Sequence, residues 1–247
     1  PDILWAIGST EPGVAQSAWQ ALGRLAGAAQ LPDLLNRFLA TKPGDLRSTA
    51  QTALVQILAR IPDEASRAPA ICAKLSNTTD PTDRAALLSL LPVAGGPAAL
   101  AAVKSALNDP DATVRDTALR ALTDWPTADA WDDLLALYQK QPAGTQTALA
   151  LRGLTRLAND ENTKPSDALV QRYRVLLESA RTDDDRKQVL GALGGCARPD
   201  ALKLALPLLE NAAVRAEAAS AVRRIAESIK GAHPQAAAPD RPHPRGA

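Results

Sequence analysis

The chain has no methionine, one phenylalanine, two tyrosines and only two histidines in 247 residues. Each scarcity excludes something. Both histidines, His233 and His243, fall in the last fifteen residues, so the rest of the chain has no imidazole for a Ser–His or Cys–His nucleophile or for a zinc site. The two cysteines, Cys72 and Cys196, stand 124 positions apart and form no CxxC or other metal spacing. No apolar run approaches the roughly 18–20 residues that span a bilayer. Charge of one sign is also missing: 28 Lys and Arg stand against 27 Asp and Glu, without the basic excess of a phosphate-tracking protein. No P-loop, G-x-S-x-G or G-x-G-x-x-G string occurs in a strand–turn–helix setting. The sequence therefore predicts no catalytic residues, no metal and no cofactor. Starting on Pro1 without methionine, it reads as a piece of a larger or processed polypeptide.

What is present is alanine, leucine and a repeat. The hydrophobic fraction is 46%, with few β-branched runs, which favours helix over strand. Anchored on Val114 of DPDATVRDTALRAL (109–122), equivalent positions are Val14, Leu46, Asp83, Val114, Gln146, Asp185 and Val214. Four residues after each come Ala18, Ala50, Leu87, Ala118, Ala150, Val189 and Ala218. Seven after come Ala21, Ala53, Leu90, Ala121, Gly153, Ala192 and Ala221. Eight after come Leu22, Leu54, Leu91, Leu122, Leu154, Leu193 and Val222, while the sixth column holds no large apolar residue. Offsets of four, seven and eight share one helical face and six points away from it. Each unit thus opens with an amphipathic helix that sets small residues beside a large one. The large column is expected to be buried throughout. A second helix is expected within 31–40, 68–76, 97–107, 127–141, 166–180 and 199–211, the last kinked or shortened by Pro207.

The fold class predicted is all-α, an α-α superhelix of about seven helix pairs over 1–231. AHPQAAAPDRPHPRGA (232–247), with four prolines and no apolar stripe, reads as a disordered tail or linker. The repeats resemble the HEAT repeats of the ARM/HEAT solenoids, most closely at Asp109, Val114 and Arg115, the turn acid and Val-Arg pair of that family. TAQTALVQIL, NDPDATVRDTALRALTDWP, TALALRGLTRL, DRKQVLGALGG and PDALKLALPLLEN further resemble the HEAT-like region of large bacterial multidomain proteins. There the region accompanies 3-keto-disaccharide hydrolase-type or exported dehydrogenase and cytochrome domains. The resemblance implies an exported or periplasmic bacterial setting and a non-catalytic, monomeric scaffold for a protein partner or a neighbouring domain of the same chain. It also implies two alternatives, an accessory module of a sugar-active exported enzyme and a nucleic-acid-binding solenoid of the DNA-glycosylase kind. The near-zero net charge argues against nucleic acid.

Several residues invite a functional reading. Arg47, Arg84, Arg115, Arg186 and Arg215 share the column after the anchor. They form either a basic ladder or, as expected here, a set of structural bonds to acids and helix-end carbonyls. Cys196, Trp125 and Leu25 share an expected core column, and Trp19 shares another with Leu88, Leu119, Leu151 and Leu190. Asp183, Asp184 and Asp185 precede a helix start, where acids favour the dipole. Trp131, Asp132, Tyr138, Arg172 and Tyr173, on two long second helices, form the candidate concave binding surface: aromatic anchors ringed by charge if they face out, core if they face in.

Overall fold

In the computed structural model, residues 2–140, 142 and 144–237 are described. Among them every regular element is helical. In chain order the α-helices are α1 (Asp2–Ala6), α2 (Pro12–Leu25), α3 (Leu31–Ala40), α4 (Asp45–Arg60), α5 (Ala68–Ser76), α6 (Pro81–Leu88), α7 (Leu91–Ala94) and α8 (Gly96–Ala106). They continue as α9 (Ala112–Thr123), α10 (Trp131–Lys140), α11 (Thr145–Glu161), α12 (Asp167–Ser179), α13 (Asp183–Leu193), α14 (Pro199–Ala205), α15 (Arg215–Ile229) and α16 (Pro234–Ala237). Residues 238–247 lie outside the described set, and with them His243 and most of the proline-rich segment 232–247.

The chain divides into two compact units, the first ending at Leu134 and the second starting at Leu135, within α10. In the first unit, first helices lie against first helices: α2 on α4, α4 on α7 and α6 on α9. Second helices lie against second helices, α3 on α5 and α5 on α8. The second unit repeats the arrangement, with α11 on α13 and α13 on α15, and with α12 on α14. This is the all-α, HEAT-like helix-pair class that the columns predicted.

The small residues explain the stacking. All seven residues of the fourth column, Ala18 to Ala218, are buried. A Cβ added at Gly23 of α2 would lie 3.1 Å from Ala53 Cα of α4, so the two helix backbones approach closely there. Leucines of the eighth column fill the remaining space. Leu54, Leu91, Leu122, Leu154 and Leu193 are fully buried and Leu22 nearly so. Val222 departs from the expectation: it is half-buried, at the last first helix of the series. Leu25 departs further, lying 72% exposed although Ile57, Trp125, Leu157, Cys196 and Ile225 of the same column are buried. Leu25 ends the first of the stacked helices, and Val14 of that helix is also exposed.

Two prolines set local breaks. Pro92 has no N–H and its ring clashes with the carbonyl four residues back, at Leu88. α6 ends at Leu88 and the short α7 takes its place, so the third first helix is split rather than continuous. Pro207 likewise shortens its helix: α14 stops at Ala205 and residues Leu206–Glu210 turn as a 3₁₀ helix. Leu122, with no exposed surface in the last turn of α9, is the position where packing is most easily tested. Leu122→Ala is expected to lower unfolding free energy by roughly 2–5 kcal/mol in chemical denaturation, with the helical circular-dichroism spectrum retained.

Candidate functional site

The arginine column is the most regular feature of the polar structure, and it acts as a clamp. Arg47 donates to Thr41 O at 3.3 Å, Arg115 to Asp109 O at 2.7 Å, Arg186 to Ala180 O at 3.3 Å and Arg215 to Leu209 O at 2.9 Å. In each case the acceptor is six residues back, at the turn leading into the first helix. Each guanidinium thereby satisfies a carbonyl that has no partner within regular structure. Two of the five also reach forward to the next repeat: Arg47 pairs with Asp83 at 2.5 Å and Arg84 with Asp109 at 2.5 Å. Arg47 and Asp109 are themselves buried, and the Arg47 guanidinium lies over the Phe38 ring at 4.8 Å from its centroid. The column is therefore structural, as its neighbouring acids implied, and it presents no continuous basic ladder.

The acids beside these arginines cap helices. Asp111 accepts from the N–H groups of Thr113 and Val114, and Asp80 accepts from that of Asp83. In the Asp183–Asp184–Asp185 run, Asp183 pairs with Arg186 at 3.0 Å and Asp184 with Lys187 at 3.5 Å. Asp185 forms a capping box with Thr182, accepting from the N–H groups of Arg181 and Thr182. Among the described residues no group of three or more His, Cys, Asp or Glu could hold a metal ion.

The five residues of the candidate surface separate on inspection. Trp131 and Asp132 belong to the first unit; Tyr138, Arg172 and Tyr173 belong to the second. All three aromatic rings are buried: Trp131 is 5% exposed, Tyr138 1% and Tyr173 0%. Sequence spacing placed them on second helices correctly, but the rings face in, and they supply no surface anchors. Tyr138 donates to Asp185 Oδ2 at 2.7 Å, while Arg181 stacks over its ring and donates to the Tyr138 and Gln139 carbonyls. Burial first, then the Asp185 carboxylate, push the Tyr138 hydroxyl up to about 12. Tyr173 donates to Ala192 O at 3.1 Å and accepts from Asn162, and burial raises its pKa further still. Arg172 pairs with Glu161. Asp132 alone of the five is exposed and, among the described residues, has no ion-pair or hydrogen-bond partner.

The cysteines are likewise quiet. Cys196 is fully buried, and burial pushes its thiol up to about 11; Cys72, half-buried, is raised by the same cause. A raised pKa withholds the thiolate that nucleophilic chemistry needs.

Residues that the sequence did not single out tie neighbouring second helices together. In the first unit Lys74 of α5 donates to Asn36 of α3 at 2.6 Å, and Lys104 of α8 pairs with Asp133 of α10 at 2.8 Å. In the second unit Gln139 of α10 donates to Ser179 of α12 at 3.0 Å. Their advance signal was no more than a polar side chain on an amphipathic second helix. The contacts hold the outer faces of these helices side by side.

A HEAT-repeat family model matches residues 68–163. No curated protein matches the chain in sequence. Among solved structures, the chain is similar to a mutant of Kap121p, with a TM-score of 0.56 at 15% identity over 96% of this chain. It is also similar to Kap121p bound to Ste12p (TM-score 0.55, 16% identity, 96% of this chain). A third is the karyopherin Kap121p bound to the extreme C-terminus of the protein phosphatase Cdc14p (0.53, 17%, 96%). The chain spans 30% of the length of each of these proteins. At such identities the likeness establishes a shared fold, that of HEAT-repeat solenoids.

Two outcomes test the polar structure. Arg47→Met removes a nearly buried guanidinium from Thr41 O and Asp83, and is expected to cost about 1.5–3 kcal/mol, the range for hydrogen bonds to charged groups. Arg215→Met, which removes one exposed contact, should cost less than half as much in the same denaturation series.

Asp185 supplies a pH signature. Burial opposes its charged form, but the bonds from Tyr138, Arg181 and Thr182 together outweigh burial and hold its pKa below the ordinary 3.8. A depressed folded-state pKa contributes stability that is fully present above the unfolded value and is lost as pH falls through the folded one. The stability gap between the parent and Asp185→Asn should therefore be constant from pH 7 down to about 5. It should then shrink as pH falls below about 4.

Proposed function

We propose that this chain is a non-catalytic helical-repeat scaffold that binds a protein, or a neighbouring domain of its own polypeptide, through the outer face of its second helices. The single observation that carries the reading is the division of labour among polar groups. The arginines, the capping acids and the tyrosines at conspicuous positions are spent on joining repeats. The exposed second-helix face, with Asp132 free and Asn36, Lys74, Lys104 and Asp133 cross-linked along it, remains as an ordered polar surface. The HEAT-repeat fold supports the reading, because solenoids of stacked helix pairs present extended surfaces of this kind. The resemblance to multidomain bacterial proteins supports a neighbouring domain as one such partner.

The candidate surface is accordingly redrawn. Asp132 stays in it as a contact residue, whereas Trp131, Tyr138 and Tyr173 act by holding the helices that present it. Asp132→Lys tests this without disturbing the fold, since the side chain is exposed and unpaired. Its melting temperature is expected to lie within about 2 °C of the parent's, as for surface substitutions of about 0.5 kcal/mol or less. A partner purified with the parent chain from its native host should bind the variant at least about tenfold more weakly, a loss of about 1.4 kcal/mol. Equal binding of that partner by both proteins refutes this face as the contact surface. A steep salt-dependent affinity for short duplex DNA would point instead to phosphate recognition.

A further inference from the structure

A cavity of the first unit is lined in part by Trp19, whose buried indole N–H has no hydrogen-bond partner among the described residues. The cavity, about 560 Å³, is formed by Ile7 after α1, by Trp19 of α2, by Ala40 at the end of α3 and by the turn that leads into α4. That volume falls within the 300–1,000 Å³ usual for small-molecule sites. Trp19 has no exposed surface, and its indole Nε1–H has no hydrogen-bond partner. An indole N–H is a donor only, and leaving it unpaired inside a protein is costly, so buried tryptophans nearly always find an acceptor.

Two neighbouring groups on the same wall are also free donors or cations. Lys42 is exposed and has no ion-pair or hydrogen-bond partner. The turn Lys42–Pro43–Gly44 ends with Gly44 at φ 146°, in the region that favours glycine, and Gly44 begins the 16-residue α4 without a capping side chain. The first N–H groups of α4 are thus free, at the positive end of the helix dipole. Arg37 also borders the cavity, but its guanidinium is engaged by Asp33 and by Leu4 O. One group on the wall opposes an anion, the exposed carboxylate of Asp45. Ile7, Ala40, Pro43 and the Trp19 ring supply apolar surface around these donors.

We propose that this cavity binds a small apolar monocarboxylate. Its hydrocarbon body occupies the space between Ile7, Trp19 and Ala40. Its carboxylate lies at the Lys42–Gly44 turn, where it accepts from the Lys42 ammonium, from the start of α4 and from the Trp19 indole N–H. The indole edge is buried, so the last of these bonds forms with a small displacement of the exposed turn. An acceptor-only head group suits the free donors of this turn, the Lys42 ammonium and the first N–H groups of α4. None of Asn36, Lys74, Lys104, Asp132 and Asp133 lines the cavity, so its occupancy is tested separately from the second-helix surface.

The test is a titration of the intact chain with sodium octanoate, read by the assigned indole N–H resonance of Trp19 in a ¹H–¹⁵N spectrum. The expected result is a saturable downfield shift of that proton. Octanamide, which has the same chain without the charge, should bind at least about tenfold more weakly, as loss of a charge-assisted hydrogen bond implies. Lys42→Glu should weaken octanoate to a similar degree, and Asp45→Asn should strengthen it. Both side chains are exposed, so the variants are expected to fold as the parent does. The proposal is overturned if octanoate produces no saturable shift, if octanamide binds equally well, or if Lys42→Glu leaves affinity unchanged. Tighter binding of a leucine-terminated tripeptide than of octanoate also overturns it, and assigns the cavity to peptide C-termini.

Discussion

The guanidinium that reaches back six residues to a turn carbonyl is the contact on which the repeat depends. A helix pair can bury its apolar stripe only if the chain reverses direction at a fixed angle, and each reversal leaves backbone carbonyls outside any helix. Arg47, Arg115 and Arg186 each satisfy one of these from the first turn of the helix that follows, and Arg215 does the same for Leu209 in the 3₁₀ turn before its helix. The bond joins the orientation of a first helix to the end of the preceding second helix. Where a side-chain acid stands at the next turn, as Asp83 and Asp109 do, the same column extends the connection to the following repeat. Coulombic attraction is the smaller part of this arrangement in stability terms. The greater part is that buried polar atoms are paired in a geometry that only one stacking register allows.

Packing supplies the energy that the clamps direct. Alanine at the fourth column lets neighbouring first helices approach, and leucine at the eighth fills the space left over. Neither residue type specifies an angle by itself, because apolar contact is non-directional. Register comes from the combination: small residues fix how near the helices come, and the arginine bonds fix where along their length they meet. The same logic explains why the aromatic residues, so few in number, are almost all interior. Trp19, Trp125, Tyr138, Tyr173 and Phe38 are fully buried, each occupying volume that an alanine-rich helix cannot fill.

The polar atoms of the two tyrosines show how a repeat protein turns apparent functional groups into structure. Tyr138 and Asp185 are 47 residues apart, yet their bond links a second helix to a first helix two pairs further on. Asn162 performs the parallel task, donating to Tyr173 and to the carbonyl of Ala192. A titratable residue with a shifted pKa is here a sign of close packing between repeats. Where a buried polar group has no partner, as with the Trp19 indole beside a cavity, the same accounting points outward to a ligand.

Much of this was legible in the residues alone. The helical class, the column of buried small residues, the structural role of the arginines, the capping role of Asp185 and the shortening of a helix at Pro207 all follow from local rules of spacing, capping and backbone chemistry. Those rules act over one or two turns and need no knowledge of what lies across the interface. The orientation of Trp131, Tyr138 and Tyr173 was not legible, since a ring on a second helix satisfies helical spacing equally well facing the core or the solvent. The exposure of Leu25 was hidden for a related reason: its column is apolar in every repeat, and only the stack determines which member lacks a neighbour. The partners of Tyr138 and Lys104, and the cavity beside Trp19, depend on residues that the chain brings together from different turns and helices. Spacing along one helix determines which face a residue occupies; what meets that face is decided when the helices stack.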